Sequence, residues 1–370
     1  MKYYLVAGEA SGDLHGANLM KALKEQDAHT EFRYFGGNLM QAEGGTLVKH
    51  YADMAYMGFL EVALNLRAIL RNMKQCKQDI TAWHPDVLVL IDFPGFNMKI
   101  AEYAKKNGLL VCYYISPKVW AWNQKRVLNI KKVVDHMFCI LPFEVDFYKQ
   151  WDMQVDYVGN PLLDAAAAFK PSPTFLRDNQ LEGKRLIALL PGSRKQEINY
   201  LLPDMVAMQD RFPNHQLAIA GAPSFTTDYY QPYLKGHNIP IVFNSTYDLL
   251  QHAEAAVVAS GTATLETALF NVPQVVVYKG SAITIAIGRM VIKIKFISLV
   301  NLIMDKLVVR ELIQQQCNPE EIYTELNRLI NDQSYRQQIL DNYDQLDERM
   351  GTPGASAKTA ALIIKYTTKK

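Results

Sequence analysis

Asp92, Arg194 and Glu266 are the side chains best placed to do chemistry in this chain. Each follows an apolar run that ends in a turn of small residues. Asp92 stands in Ile91-DFPGFN-Asn97, after the run Asp86–Ile91. Pro94 and Gly95 stop that run sharply. A carboxylate is therefore expected at the carboxyl end of a central strand, where open α/β sheets hold their ligands. There it can take a proton from a hydroxyl, an effect worth about 10²–10⁴-fold in rate. An Asp just before Pro94 also suits a plain turn. Gly192, Ser193 and Arg194 lie in Leu190-PGSRKQE-Glu197. Backbone N–H groups at a helix start bind anions, and arginine adds a charge-assisted pair, so this turn suits a diphosphate. Ser260, Gly261, Thr262, Ala263 and Thr264 form a second small-residue turn whose hydroxyls and N–H groups suit phosphate. Glu266 follows it, as a ribose acceptor or as a solvated helix residue.

The opening stretch Tyr4–Met20 carries Gly8, Gly12 and Gly16. Their spacing is G-x3-G-x3-G. That is neither the G-x-G-x-x-G dinucleotide fingerprint nor a P-loop. Its polar residues are Glu9, Ser11, Asp13 and His15. Two carboxylates disfavour phosphate and suit sugar hydroxyls or the helix start itself. Ser11 and Asp13 as simple caps is the plainer alternative. Ser116-PKVWAWNQKR-Arg126 sets Trp120 and Trp122 among Lys118, Lys125 and Arg126. Aromatic faces beside cations suit a sugar phosphate; buried tryptophans with solvated lysines fit equally well.

Elements able to position these turns alternate along the chain. Strands are expected at Tyr3–Ala7, Arg33–Gly36, Asp86–Ile91, Leu110–Ile115, His136–Ile140 and Val155–Val158. Helices are expected at His15–Glu25, Leu60–Thr81, Lys99–Asn107 and Gln124–Val134. A linker rich in alanine and proline follows at Asp164–Phe175. The pattern then restarts with strands at Arg185–Leu190, Gln216–Ala220, Ile239–Phe243, Ala255–Ala259 and Gln274–Tyr278. Helical patterns dominate from about Pro319. The fold class is α/β, with two Rossmann-like parallel-sheet domains facing a cleft. The expected domains are 1–164 and 165–351, the second carrying the turns that suit phosphate. A C-terminal helix at about 352–370 is expected to pack back on the first.

Composition sets outer limits. The 370 residues are 49% hydrophobic and 21% charged, with a net charge of +2. This is ordinary for a globular protein and too weakly basic to argue for nucleic acid. Cys76, Cys112, Cys139 and Cys317 are scattered without C-x-x-C spacing, so neither a disulfide framework nor a zinc site is expected. The chain enters a strand at once, without a signal-peptide pattern. Its longest apolar stretch, Ile283–Met304, is broken by Arg289, Lys293 and Lys295.

At these residues the sequence resembles the lipid A disaccharide synthase family. The motifs are GEASGD (Gly8–Asp13) with His15, IDFPGFN (Ile91–Asn97), SPKVWAW (Ser116–Trp122), LPFE (Leu141–Glu144) and VGNPLLD (Val158–Asp164). LPGSRKQE (Leu190–Glu197), SGTATLE (Ser260–Glu266) and SLVNL (Ser298–Leu302) continue the series in order over nearly the whole chain. The resemblance implies a GT-B fold and an inverting transfer in lipopolysaccharide biosynthesis. UDP-2,3-diacylglucosamine is joined to 2,3-diacylglucosamine 1-phosphate, giving the lipid A disaccharide 1-phosphate and UDP. It implies Asp92 as base, Arg194 at the departing diphosphate and Asn301 near the catalytic centre. Gly192, Ser193 and Ser260–Thr264 would contact UDP phosphates, with Glu266 on the ribose. Glu9, Ser11, Gly12, Asp13, His15, Lys118 and Trp120 would face the acceptor. Arg310-ELIQ-Gln314 matches a further family pattern, with arginine where proline is commoner. No cofactor and no metal are implied, since no DxD pair stands near these motifs.

Acylated substrates call for a membrane. Met57–Lys74 sets Leu60, Leu64, Ile69 and Leu70 among Arg67, Arg71 and Lys74, and Ile287–Phe296 is likewise apolar with cations. Either segment suits the cytoplasmic face of an anionic inner membrane, or simply covers a sheet. Oligomeric state is left open. The rival readings are another UDP-GlcNAc-using GT-B enzyme (a MurG-like transferase or a 2-epimerase) and a non-catalytic sugar-nucleotide or lipid-binding protein.

Overall fold

The computed structural model describes residues 1–54, 66–281 and 294–368. The expected helix start at Leu60 and most of Ile287–Phe296 lie outside the described residues. The chain divides into two compact units. The first is Met1–Asp164 together with the chain from Thr352 onward; the second is Ala165–Gly351.

In the first unit, β1 (Lys2–Ala7), β2 (Glu31–Gly36), β3 (Thr46–His50), β4 (Val87–Ile91), β5 (Leu110–Tyr114), β6 (His136–Cys139) and β7 (Asp156–Tyr157) form one parallel sheet. Its order is β3-β2-β1-β4-β5-β6-β7. Every residue of β4 and β5 is buried, as expected of strands covered on both faces. Strand order reverses between β1 and β4. Ala7 pairs with Ile91 there, so the turns after the two strands leave the sheet side by side.

In the second unit, β8 (Arg185–Leu190), β9 (His215–Gly221), β10 (Ile241–Phe243), β11 (Ala253–Ala259), β12 (Gln274–Tyr278) and β13 (Glu311–Ile313) repeat the plan. The order is β10-β9-β8-β11-β12-β13, again parallel. Here the reversal falls between β8 and β11. The turns after these strands carry Gly192–Arg194 and Ser260–Thr262.

Helices begin sooner after their strands than the sequence suggested. The first spans Ala10–Gln26 and the one after β4 spans Pro94–Lys106. Gly12 and Gly16 are thus helical, four residues apart on one face. A Cβ on Gly12 would lie 3.2 Å from that of Ala7, and one on Gly16 would lie 2.5 Å from the Met40 sulfur. These glycines let the helix lie close to β1 and to Met40; they do not form a loop around a ligand. The linker reading of 164–175 is also corrected. Asp164–Ala168 belongs to the helix Pro161–Ala168, because an alanine run favours helix until Pro171 and Pro173 end it.

The last helix, Ala355–Thr368, lies against Ala10–Gln26. Its Ala360 and Ile363 share a core with Leu19, Met20 and Leu23. The Gln26 side-chain amide donates to the Ala357 carbonyl at 3.0 Å. Asp164 takes the main-chain N–H groups of Gly354 and Ala355, which starts that helix.

Candidate active site

In the first unit the functional residues gather at the β1/β4 reversal. Asp92 ends β4 with its main chain in the left-handed region, φ 44°, and Phe93 follows at φ 47°. The Asp92 carbonyl accepts from the Tyr113 hydroxyl at 2.5 Å and from the Asn97 amide at 2.8 Å. The carboxyl pKa is raised above the ordinary aspartate value by burial, partly offset by the Lys118 cation and the Phe93 N–H. Lys118 itself is exposed. The Phe93 ring lies over Gly8, where a Cβ would sit 2.2 Å from it; the GEASGD and IDFPGFN turns therefore pack directly together.

Other residues of this group face inward. Asp13 is buried and accepts N–H bonds from Gly37 (2.7 Å), Leu39 (3.0 Å) and Met40 (3.1 Å). It caps the short helix Asn38–Ala42, so its expected placement toward a sugar is corrected. Trp120 is corrected likewise. It is buried edge-on against Phe143, and its indole N–H donates to Glu144 at 3.2 Å. Glu144 also accepts from the Leu141 N–H at 3.0 Å, and burial pushes its carboxyl up to about 7. The SPKVWAW and LPFE motifs are thereby joined. It is Trp122 that stands exposed, with Arg126 stacked 4.4 Å from its ring centre. Ser11 is exposed on the first helical turn, Gly12 is buried beneath it, and Glu9 is half-buried just before the helix. Burial pulls the His15 imidazole down to about 4, so it is neutral at neutral pH. Its Nδ1 is buried with no partner among the described residues.

In the second unit, Gly192 has φ 96°, a conformation that glycine adopts without a Cβ penalty. The next helix, Lys195–Val206, begins at Arg194. The turn's donors are already engaged. Glu197 accepts from the Ser193 N–H at 3.1 Å and the Arg194 N–H at 3.2 Å, and pairs with the Arg194 guanidinium at 3.3 Å. Arg194 remains 70% exposed, so its cation is available to a ligand.

The second turn of this unit divides its residues. Gly261 and Thr262 are exposed at the start of the helix Thr262–Leu269, and Ala263 is half-buried. The hydroxyls of Ser260 and Thr264 are taken up internally, by the carbonyls of Ile297 (2.8 Å) and Gly261 (2.8 Å). Main-chain N–H groups, not these hydroxyls, are what this turn offers an anion. Glu266 accepts from the Tyr247 hydroxyl at 2.9 Å, and burial raises its carboxyl. The alternative of a freely solvated helix residue does not fit this hydrogen bond and partial burial.

Asn301 is fully buried and its amide is spent. Its Nδ2 donates to the Val309 carbonyl (2.8 Å) and to Glu311 (2.8 Å). Its Oδ1 accepts from Val308 (2.8 Å) and Val309 (3.0 Å). Asn301 therefore shapes the turn before β13 and has no donor or acceptor left for a reactant, which corrects its expected place among the reacting groups. Glu311, quoted above within the ELIQ pattern but given no role there, also accepts from the N–H groups of Ile297 and Ser298 at the start of Leu299–Met304. Its own place in that pattern was the available signal. Among the described residues, no group of three or more His, Cys, Asp or Glu side chains is arranged to hold a metal.

Two Rossmann-like parallel-sheet units, each with its own strand-order reversal, are the GT-B architecture. A putative UDP-N-acetylglucosamine 2-epimerase from Listeria monocytogenes superposes with TM-score 0.68 at 13% identity, over 100% of this chain and 97% of that one. A glycotransferase of kitacinnamycin gives 0.65 at 12% identity, over 98% of both chains. Likeness at such identities carries the architecture alone. Sequence similarity carries more. The family described as lipid-A-disaccharide synthetase matches residues 3–363. The lipid-A-disaccharide synthase of Syntrophus aciditrophicus is 40% identical over 99% of this chain and 97% of its own. That of Trichlorobacter lovleyi is 37% identical over 97% and 96%. This chain belongs to the lipid-A-disaccharide synthase family, and is accordingly a glycosyltransferase.

Proposed function

We propose that the chain transfers diacylglucosamine from UDP-2,3-diacylglucosamine to the 6-hydroxyl of 2,3-diacylglucosamine 1-phosphate, releasing UDP and the β-linked disaccharide 1-phosphate. An α-linked donor yields a β linkage in one inverting displacement. Such a step needs a base and a stabilised leaving group, and no enzyme nucleophile. Asp92 takes the hydroxyl proton. The observation that carries this role is its carboxylate at the strand-order reversal, made more basic by burial against the opposing pull of the Lys118 cation. Arg194 neutralises the departing diphosphate with the N–H groups of Gly261, Thr262 and Ala263. Glu266 holds the ribose. Glu9, Ser11 and His15 face the acceptor sugar, and Lys118 its phosphate.

The substrates' acyl chains call for a membrane surface. The helix Leu66–Trp83 exposes Leu66 (52%) and Leu70 (54%) beside Arg67, Arg71 and Lys74. That pattern fits an anionic leaflet, reached from the cytoplasm. Among the described residues no helix is long and apolar enough to cross a membrane. Cosedimentation with phosphatidylglycerol vesicles, but not with phosphatidylcholine vesicles, is the expected result.

The direct test supplies both diacylglucosamine substrates and weighs the lipid product. One disaccharide monophosphate per UDP is expected. Conversion of UDP-GlcNAc alone into UDP-ManNAc would instead establish an epimerase, and binding without turnover a carrier.

A further inference from the structure

Asp92 and Phe93 are consecutive non-glycine residues with left-handed backbone. Each such residue is strained, because its Cβ is crowded against the following carbonyl oxygen. Strain of this kind persists only where the surroundings over-determine it. The Asp92 carbonyl is gripped by the Tyr113 hydroxyl at 2.5 Å and the Asn97 amide at 2.8 Å. That same amide reaches the carbonyls of Ile91 (3.2 Å) and Val6 (3.3 Å), so it ties the ends of β4 and β1 to the turn. The Asp92 N–H donates to the Tyr114 carbonyl at 3.0 Å. Both side chains are fully buried, and neither hydrogen-bonds the Asp92 carboxylate. Burial holds the Tyr113 phenol far above its ordinary range, so it remains a donor at every working pH.

We infer that Tyr113 and Asn97 are positioning residues of the transfer reaction, aiming the Asp92 carboxylate by clamping its main-chain carbonyl in a strained turn. The inference rests on the reading of Asp92 as the base. A base displaced by about 1 Å can lose on the order of 10²-fold in rate. Tyr113→Phe removes the clamp's hydroxyl and keeps the ring in its place.

The test uses the full chain and compares Tyr113→Phe, Asp92→Asn and the double variant. Tyr113→Phe is expected to lower kcat at least tenfold while KM for both substrates and the Kd of UDP stay within twofold. In the Asp92→Asn background the same change is expected to cost nothing further, which a general loss of stability would not reproduce. A smaller fall in kcat, a parallel change in UDP affinity, or additivity in the double variant overturns the inference. Should Tyr113→Phe not fold, Gly8→Ala, which drives the Phe93 ring from its seat, is held to the same criteria. Wild-type kcat in Asp92→Asn alone would instead remove the base assignment.

Discussion

The carboxylate of Glu197 lies over Gly192, so close that a Cβ on the glycine would stand 2.4 Å from its Oε2. From there it takes two N–H groups that a diphosphate would otherwise use. Glu197→Ala is expected to strengthen UDP binding severalfold in calorimetry. It should also cost about 0.5–2 kcal/mol of stability through the lost cap. Unchanged or weaker UDP binding would make Glu197 a permanent support of the turn.

Asp92→Asn is expected to cut kcat by about 10²–10⁴-fold and leave UDP affinity intact. Its carboxyl pKa is raised by burial, so its ionised form is disfavoured in the folded protein. That cost is absent below the unfolded pKa, grows as pH rises from the unfolded to the folded value, and is fully present above it. The asparagine variant should therefore melt at a higher temperature than the wild type at neutral pH, read by calorimetry.

Lys118 lowers the same pKa, opposing burial. In Lys118→Met the pKa rises further. The acid limb of kcat/KM, where the base becomes protonated, should move to higher pH than in the wild type. A limb that stays in place would separate Lys118 from the base.

Arg194→Ala removes a charge-assisted contact worth about 1.5–3 kcal/mol. UDP should bind roughly ten- to a hundredfold more weakly, and turnover should slow. Glu266→Gln should weaken UDP and leave 2′-deoxy-UDP nearly unaffected, if the carboxylate holds the ribose. Equal losses for both nucleotides would rule that contact out.

Asn301→Ala strands the N–H groups of Val308 and Val309 and the partners of the lost amide. A cost of about 2–4 kcal/mol is expected, lowering the melting midpoint by roughly 5–10 °C. Activity measured well below that midpoint should stay near wild type. A tenfold loss there, in protein shown to be folded, would restore Asn301 to the chemistry.

The central strands were legible because parallel strands buried on both faces read as unbroken apolar runs. Val87–Ile91 and Arg185–Leu190 are clear cases. The edge strands β3 and β13 escaped notice because they are only partly buried, with polar residues among the apolar ones. Which motifs mattered was also legible, but not what each polar atom does. The partners of Asp13 lie 24 to 27 residues away, and Glu144 stands 24 residues from Trp120. Only folding reveals that those carboxylates are spent. The glycine spacing misled for a related reason: four residues is a turn of helix as well as a gap between loop glycines.

Asp164 grips Gly354 across 190 residues of sequence. The chain leaves the first unit and re-enters it at one staple, so the second unit is an insertion in the first. Leu19, Met20 and Leu23 find their cover in the helix Ala355–Thr368, made after the whole second unit. A ribosome must make Ala355–Thr368 before the half translated first can close, and a stop codon anywhere ahead of Ala355 would leave that half with an open apolar flank.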